Sequence, residues 1–568
     1  MIIYCGETTR NMELKRLHML RRNFLALGTT LPVLMRGAVE IQFEIAIIGG
    51  GFGGCAAALA ACRNGARVVL TEETDWIGGQ VTSQGVPPDE HPWIESFGCT
   101  RSYRTYRNLV REYYRRFYPL TAAAREKPNL NPGNGTVSRL THEPRVSLAV
   151  LESMLAPHVS SGLLTILLRH APVAADVDGN RVKGVSVRSL ETGEQRILRA
   201  KYFLDATETG ELLPLTKTEY ITGAEGRGQT EEPHAAAVAQ PDNMQAVTVC
   251  FAMDYLSGED HTIDRPQGYA FWRDYIPKLR PAYSGKLLSM EMPEPATLRK
   301  RQLAFVPDKP SMWTYRRALD RSNFTPGSYR SDISLVNWPQ NDFWLGNLFE
   351  VPAAEAAHNL RQARELSLCF FYWLQTEHER PDGGHGWPGL RLRPDVMGSR
   401  DGLAKTAYIR ESRRIRAEFT VLEQHVGTEA RMAATGKSRE DVKAAVFEDS
   451  VGIGSYRIDL HPSTGGDNYI DISALPFQIP LGALIPARVE NLIPACKNLG
   501  VTHITNGCYR LHPVEWNIGE SAGMLAAYAL ESNEKPRAIR GDRKLLGELQ
   551  KRLVADGVEL RWPLVGPR

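Results

Sequence analysis

The stretch that most constrains this chain is Phe43 to Gln80, FEIAIIGGGFGGCAAALAACRNGARVVLTEETDWIGGQ. Its apolar run, Ile45-Ala46-Ile47-Ile48, is short and β-branched, as a parallel strand buried on both faces should be. Glycines follow at 49, 50, 51, 53 and 54, and Gly49, Gly51 and Gly54 have the G-x-G-x-x-G spacing. That spacing serves a tight turn, a close backbone approach to a pyrophosphate and close packing of helix on strand. The next helix is rich in alanine and stops at Asn64-Gly65, a favourable C-terminal pair. A second strand, Arg67 to Thr71, delivers Glu72 where a carboxylate can accept hydrogen bonds from both ribose hydroxyls. The pyrophosphate is expected at the helix N-terminus, where unpaired N–H groups and the helix dipole favour an anion. G-x-G-x-x-G alone is a weak signal. Strand, glycines, small-residue helix, strand and acid in register point to an adenine dinucleotide.

At 568 residues the chain is too long for one ordinary core, so two domains with additions are expected. A net charge of +3 argues for neither nucleic acid nor a polyanionic partner, and no nucleic acid is expected. No apolar run approaches the roughly 20 residues that cross a bilayer, so no integral membrane segment is expected. The eight cysteines contain no C-x-x-C and no regular spacing, and so suggest neither a zinc site nor a disulfide framework. Leu20-Arg21-Arg22-Asn23-Phe24-Leu25, followed by a moderately apolar Ala26 to Met35, forms a twin-arginine pattern. Export to the periplasm or beyond is the expectation; a frayed helix on a cytoplasmic protein is the alternative. Arg36-Gly37-Ala38 lacks a clean A-x-A cleavage site, and Met12 or Met19 would make a better-placed start. Residues 1–40 are excluded from the fold on either reading.

Ile77-Gly78-Gly79-Gln80 continues from the second strand, with glycines that admit a second bound group and a glutamine able to reach a flavin edge. Arg101, Arg104, Arg107, Arg111 and Arg115 recur at helical spacing among tyrosines. They read as a solvated helix with arginine stems lying over aromatic rings rather than an anion-binding face. Leu164 to Arg199 has the turns and alternation of a β-meander. Tyr202 to Gly210 then supplies another strand, in which Asp205, Ala206 and Thr207 pass near the dinucleotide. In residues 226–449, Ser334 to Asp342 reads as a turn and Tyr408 to Ile415 as a surface ion-pair cluster. Near the end, Ile518 to Ala527 reads as a helix start whose Gly519 and Ala522 could face the flavin's pyrimidine edge. Residues 543–556 read as a closing amphipathic helix.

Taken together, these pieces resemble the FAD-dependent oxidoreductase family of the glutathione-reductase-like flavoproteins. The resemblance rests on the fingerprint, Ile77-Gly78-Gly79, Asp205-Ala206-Thr207, Tyr408 to Ile415 and the tail from Leu481 to Gly523. It implies an α/β fold: a Rossmann-like FAD-binding domain with an inserted α+β substrate domain. The expected divisions are 41–225 and 450–535 for FAD, 226–449 for substrate, and 536–568 for a terminal helix and tail. The resemblance also raises Arg410, Glu411 and Arg413 to candidates for an active-site wall. Relatives carry a glycine where this chain has Cys496, which is read as a buried, unreactive thiol.

FAD is expected rather than a nicotinamide, because the separated pieces at Asp205 and Gly519 serve a flavin. Its cofactor contacts are expected at Gly49, Gly51, Gly53, Gly54, Glu72, Gly78, Gly79, Gln80, Asp205, Thr207, Gly519 and Ala522. The chemistry expected is hydride transfer from a small organic substrate to the flavin, with a side chain taking the proton. His503 or His512 is the expected base, with Arg510 or Asn517 stabilising charge, and no metal ligands are expected. A flavoprotein without net redox turnover (a hydratase, isomerase or lyase) is the alternative. The electron acceptor is not legible.

Overall fold

The computed structural model describes residues 39–283 and 285–563, so the twin-arginine stretch at Leu20 to Leu25 lies outside the described residues. Five parallel strands form the central sheet in the order Leu492–Pro494, Tyr202–Asp205, Ile45–Ile48, Val68–Glu72 and Leu164–Leu168. Ile48 pairs with both Thr71 and Asp205, so the strands on either side end level with the glycine turn. Three chain segments far apart in sequence therefore deliver Gly49, Glu72 and Ala206 to one edge. An open α/β sheet binds ligands outside the carboxyl ends of its strands, and this edge is the one that qualifies.

One face of the sheet carries the helix Phe52–Arg63, buried along most of its length because its side chains are small. The tail helix His512–Ser532 packs across it. Adding a Cβ to Gly519 would bring it within 2.0 Å of Gly53 O, and one on Gly523 would lie 2.3 Å from Ala57 O. These tail glycines thus let two helix backbones touch. The expected helix start at Ile518 is displaced: the helix begins at His512, with Pro513 in its first turn. Gly519 and Ala522 lie inside it, where backbone N–H groups are used within the helix and are not free for a flavin. Aromatic contacts close this side, with Phe52 and Trp516 centroids 4.7 Å apart and Tyr106 stacked on Trp516 at 5.9 Å. Each such side chain contributes roughly 1.5–3 kcal/mol through burial.

The opposite face meets the antiparallel meander His170–Asp178, Arg181–Ser189 and Gln195–Arg199, through Ala46, Ile48 and Phe203 against Val185, Val187 and Leu198. A separate apolar core, including Phe251, Trp313, Trp338, Phe370 and Phe371, lies in the segment inserted between Asp205 and the last sheet strand. It is built on an antiparallel sheet ordered Arg317–Leu319, Ile333–Val336, Phe251–Tyr255 and Leu390–Leu392, together with the helix Ala353–Thr376. No helix among the described residues is long and apolar enough to cross a membrane.

The arginine-rich helix Arg101–Phe117 is not the solvated element expected. Arg107 and Arg111 are 0% and 2% exposed. Arg107 bonds Glu90 at 2.8 Å and Glu95 at 2.7 Å, and Arg111 reaches Glu95 at 2.6 Å. Both acids come from the loop after the glycine turn, so this helix clamps the segment that continues from the cofactor edge. Sequence spacing could not show this, because the partners lie outside the helix.

Candidate active site

The cleft at the sheet edge is lined by Gly49, Gly51, Glu72, Gly79, Ala206, Thr207 and Glu208, with Gln84 and the segment Lys405 to Ile409 opposite. Gly49 has φ +101°, a conformation that side chains disfavour, and an added Cβ would lie 2.3 Å from the Ala206 carbonyl. A Cβ on Gly54 would lie 2.2 Å from Gly49 O, and one on Gly53 2.0 Å from Ala495 O. Gly78 donates its N–H to Gly50 O at 2.7 Å, bringing the second glycine pair against the first. Glu72 accepts from Gly50 N at 3.1 Å and from Thr74 N and Oγ1 at 2.9 and 2.7 Å. Burial pushes its carboxyl up to about 7 against those bonds. Asp205 is not itself part of the cleft wall. Its carboxylate accepts from Thr207 N and Oγ1 and from Leu212 N, and so fixes the turn that presents Thr207. Burial pushes it up to about 6.

The first turn of the glycine helix, where the pyrophosphate is expected, already faces the Glu515 carboxyl, which burial pushes above its ordinary range. Gly53 N–H donates to Glu515 Oε1 at 3.0 Å, and Glu515 also accepts from Gln80. Lys497, fully buried, pairs with Glu208 and stands 3.9 Å from Glu515 Oε2. Cys496 beside it has its thiol pushed well above the ordinary range by burial, so it is an unreactive neighbour. Both amide atoms of Gln84, Oε1 of Gln80 and Oε1 of Glu208 are buried without a partner among the described residues. A cleft floored by glycines, carrying a strand-end carboxylate and unsatisfied amides, fits a dinucleotide with a hydrogen-bonding ring system. The residues present fit FAD.

The four expected catalytic residues do not converge. The side chain of His503 belongs to a buried ion cluster, with Nδ1 3.0 Å from Glu411 Oε1 and its backbone N–H on Glu225 at 2.8 Å. Burial opposes its charge, but Glu411 outweighs it and the imidazole's pKa is raised. His512 accepts from Asp89 N–H on Nδ1 at 3.0 Å, and its Nε2 has no partner among the described residues. Burial drives it down to about 4, so it is neutral. Asn517 donates to Ile453 O at 3.2 Å beneath the tail helix. Arg510 lines a different cavity from the small one that His503 borders: it donates to Tyr408 Oη at 2.9 Å and Asp459 Oδ2 at 3.1 Å, while its backbone carbonyl accepts from Gln80 at 3.1 Å. One residue thus joins the cofactor loop to a second cavity.

That cavity, of about 330 Å³, lies behind the Lys405 to Arg410 segment. Lys405, Thr406, Ala407 and Ile409 line the cofactor cleft, whereas Tyr408 and Arg410 line the cavity. The two stretches read as a turn and a surface cluster are both internal. Arg410 is 1% exposed and bonds Asp342 at 3.0 Å, Thr248 Oγ1 at 2.8 Å and Asn337 Oδ1 at 3.2 Å. Glu411 and Arg414 pair with each other and are also buried, while Arg413 reaches Glu350 at 2.6 Å. Residues 333–336 form a strand, and Asn337, Trp338 and Pro339 enter the cavity wall. His461 was missed in the sequence. Its Nδ1 lies 2.6 Å from Asp342 Oδ2, and its Nε2 3.5 Å from Asp459 Oδ2. Burial raises Asp342, but Arg410 and His461 outweigh it and hold the carboxyl below the usual range. No spacing connects positions 342, 410 and 461, so only the fold brings them together.

The family profile described as FAD dependent oxidoreductase matches residues 44–553. No curated protein sequence matches the chain. Among solved structures, L-proline dehydrogenase from P. horikoshii is 18% identical, covering 33% of this chain and 25% of that one, with a TM-score of 0.17. A quinol fumarate reductase of E. coli is 11% identical, covering 91% of this chain and 74% of that one, at 0.29. An anhydrotetracycline hydroxylase from Streptomyces rimosus is 10% identical, covering 90% and 66%, at 0.32. The chain spans only a quarter of the length of the dehydrogenase. The family match extends from the first sheet strand to the closing helix, and the cleft fits the cofactor: this chain is an oxidoreductase that uses FAD and belongs to the FAD dependent oxidoreductase family.

Proposed function

We propose that the enzyme oxidises a small organic substrate held in the Arg510–His461 cavity by hydride transfer, with His461 taking the accompanying proton. FAD, when bound, supplies the two-electron acceptor for the hydride. The observation that carries the reading is the His461–Asp342 pair, set in the wall of a cavity one chain segment away from the cofactor cleft. Asp342 accepts from Nδ1–H and so selects the tautomer with its lone pair on Nε2. At 3.5 Å, Asp459 lies beyond an ordinary hydrogen bond from that nitrogen and leaves it open to a substrate hydroxyl or amine. Once Nε2 is protonated, Asp459 and Asp342 flank the imidazolium. Arg410, bonded to Asp342, keeps that carboxylate ionised and oriented. The substrate loses one hydride from carbon and one proton from oxygen or nitrogen, a net two-electron oxidation.

His461→Gln keeps a polar side chain but removes the base. In anaerobic mixing with a substrate found by screening, flavin bleaching in this variant should slow by roughly 10²–10⁴-fold with the visible bands intact. An unchanged bleaching rate in a fully FAD-loaded variant refutes the assignment.

A further inference from the structure

The second cavity has an uneven chemistry that narrows what it can hold. Five arginines line it (Arg301, Arg316, Arg410, Arg457 and Arg510) against three aspartates, Asp89, Asp459 and Asp471. Each buried arginine is paired with an acid, and Arg457 pairs with Asp471 in the same wall. Arg316 meets Asp89 through two bonds of 2.9 and 3.3 Å, Arg410 meets Asp342 at 3.0 Å, and Arg510 meets Asp459 at 3.1 Å. These pairings leave donors over. Nε of Arg316, Arg410 and Arg510 and Nε1 of Trp338 are buried with no acceptor among the described residues. Arg301, on the exposed rim, has no carboxylate partner among the described residues. A buried donor without an acceptor is costly, and protein interiors rarely retain several together. Another part of the wall is apolar: Met292, Leu303, Met312 and Trp338.

We propose that the cavity binds a carboxylate attached to an apolar or aromatic body, with the carboxylate against Arg316, Arg410 and Arg510. This rests on the reading of the cavity as the substrate site and names the substrate class: a carboxylic acid oxidised at a nearby C–H bond. A carboxylate supplies two charged acceptor oxygens that can be shared among the neighbouring guanidinium groups, whereas an amide supplies one neutral acceptor and adds donors to a wall already rich in them. The volume is at the lower end of ligand pockets, which suits a single-ring acid rather than a polymer or a nucleotide.

Isothermal titration calorimetry of the FAD-loaded enzyme with benzoate, benzamide and inorganic phosphate tests this directly. Benzoate should bind once per chain, and benzamide and phosphate at least about tenfold more weakly. Arg510→Gln should weaken benzoate binding by about tenfold or more, and Arg301→Gln on the exposed rim by about threefold. Arg537→Gln, remote from the cavity, should leave binding unchanged. Equal affinity for benzoate and benzamide overturns the proposal, as does benzoate binding untouched by both cavity variants. Phosphate binding as tightly as benzoate overturns the carboxylate assignment as well. The two readings fail separately. Neutral substrates that bleach the flavin when benzoate does not bind remove the acid and keep hydride transfer. Benzoate binding to an enzyme whose bleaching ignores His461→Gln does the reverse.

Discussion

Replacing Gly519 by alanine adds one methyl group to the centre of the molecule, and its cost follows from the contact it makes. The new Cβ would lie 2.0 Å from Gly53 O and 2.6 Å from Gly53 C, where ordinary contact begins at 3.4 Å. Both are backbone atoms, so no side chain can turn aside. Gly53 cannot retreat, because a Cβ on its far side would already meet Ala495 O at 2.0 Å. The two helices must separate by roughly 1 Å in a core packed to crystal-like density. Such overpacking costs about 3 kcal/mol. For a unit of this size, unfolding entropy of about 2 cal/mol/K per residue makes that a fall of about 3 °C in Tm. The shift also moves the glycine turn, so FAD occupancy should fall, read as the ratio of 450 to 280 nm absorbance. Gly547→Ala is the matched control: it sits within the helix Arg543–Ala555 with nothing within 4 Å of its added Cβ. The same chemical change there should stabilise by up to about 1 kcal/mol. If Gly519→Ala matches the control in both Tm and FAD occupancy, the backbone-contact argument is wrong.

Arg107→Met takes from the buried carboxylate of Glu90 its arginine and leaves it neutral donors such as Tyr103 Oη and Ser138 Oγ, and chemical denaturation should show a loss of about 3 kcal/mol. His512 is buried neutral with its pKa held down at about 4, so the unfolded chain takes up its proton first as pH falls through about 6.5. Its contribution is therefore fully present above that pH and is lost towards pH 4, by at most about 3 kcal/mol. His512→Gln should flatten the fall in urea midpoint over that range, and an unaltered slope would contradict the assignment. Cys496 should resist iodoacetamide in the native FAD-loaded enzyme and react only after unfolding, because burial raises its thiol pKa well above the usual range. Peptide mapping would detect labelling at residue 496 in the native protein if that reasoning fails.

The cofactor half of this protein was legible because its signals are local. A buried strand, a glycine turn, a small-residue helix and a strand-end acid lie within Phe43 to Gln80, and each constrains its neighbour through the backbone. The strand at Tyr202 and the meander before it could be read for the same reason: period and turn residues report conformation within a few positions. Arg107 and Gly519 read differently in sequence because the residues that define them lie elsewhere in the chain. An arginine at helical spacing looks solvated until Glu90 and Glu95 cover it. A glycine at position 519 looks like a helix start until Gly53 is found against it. The same limit hid the catalytic candidates. His461 has no motif of its own and gains a role only where Asp342, Arg410 and Asp459 meet around it. Local sequence determined the cofactor, since binding a dinucleotide needs backbone shape that glycine and strand order encode directly. The substrate cavity was decided by tertiary structure, since charge placement there depends on side chains brought together across more than a hundred residues.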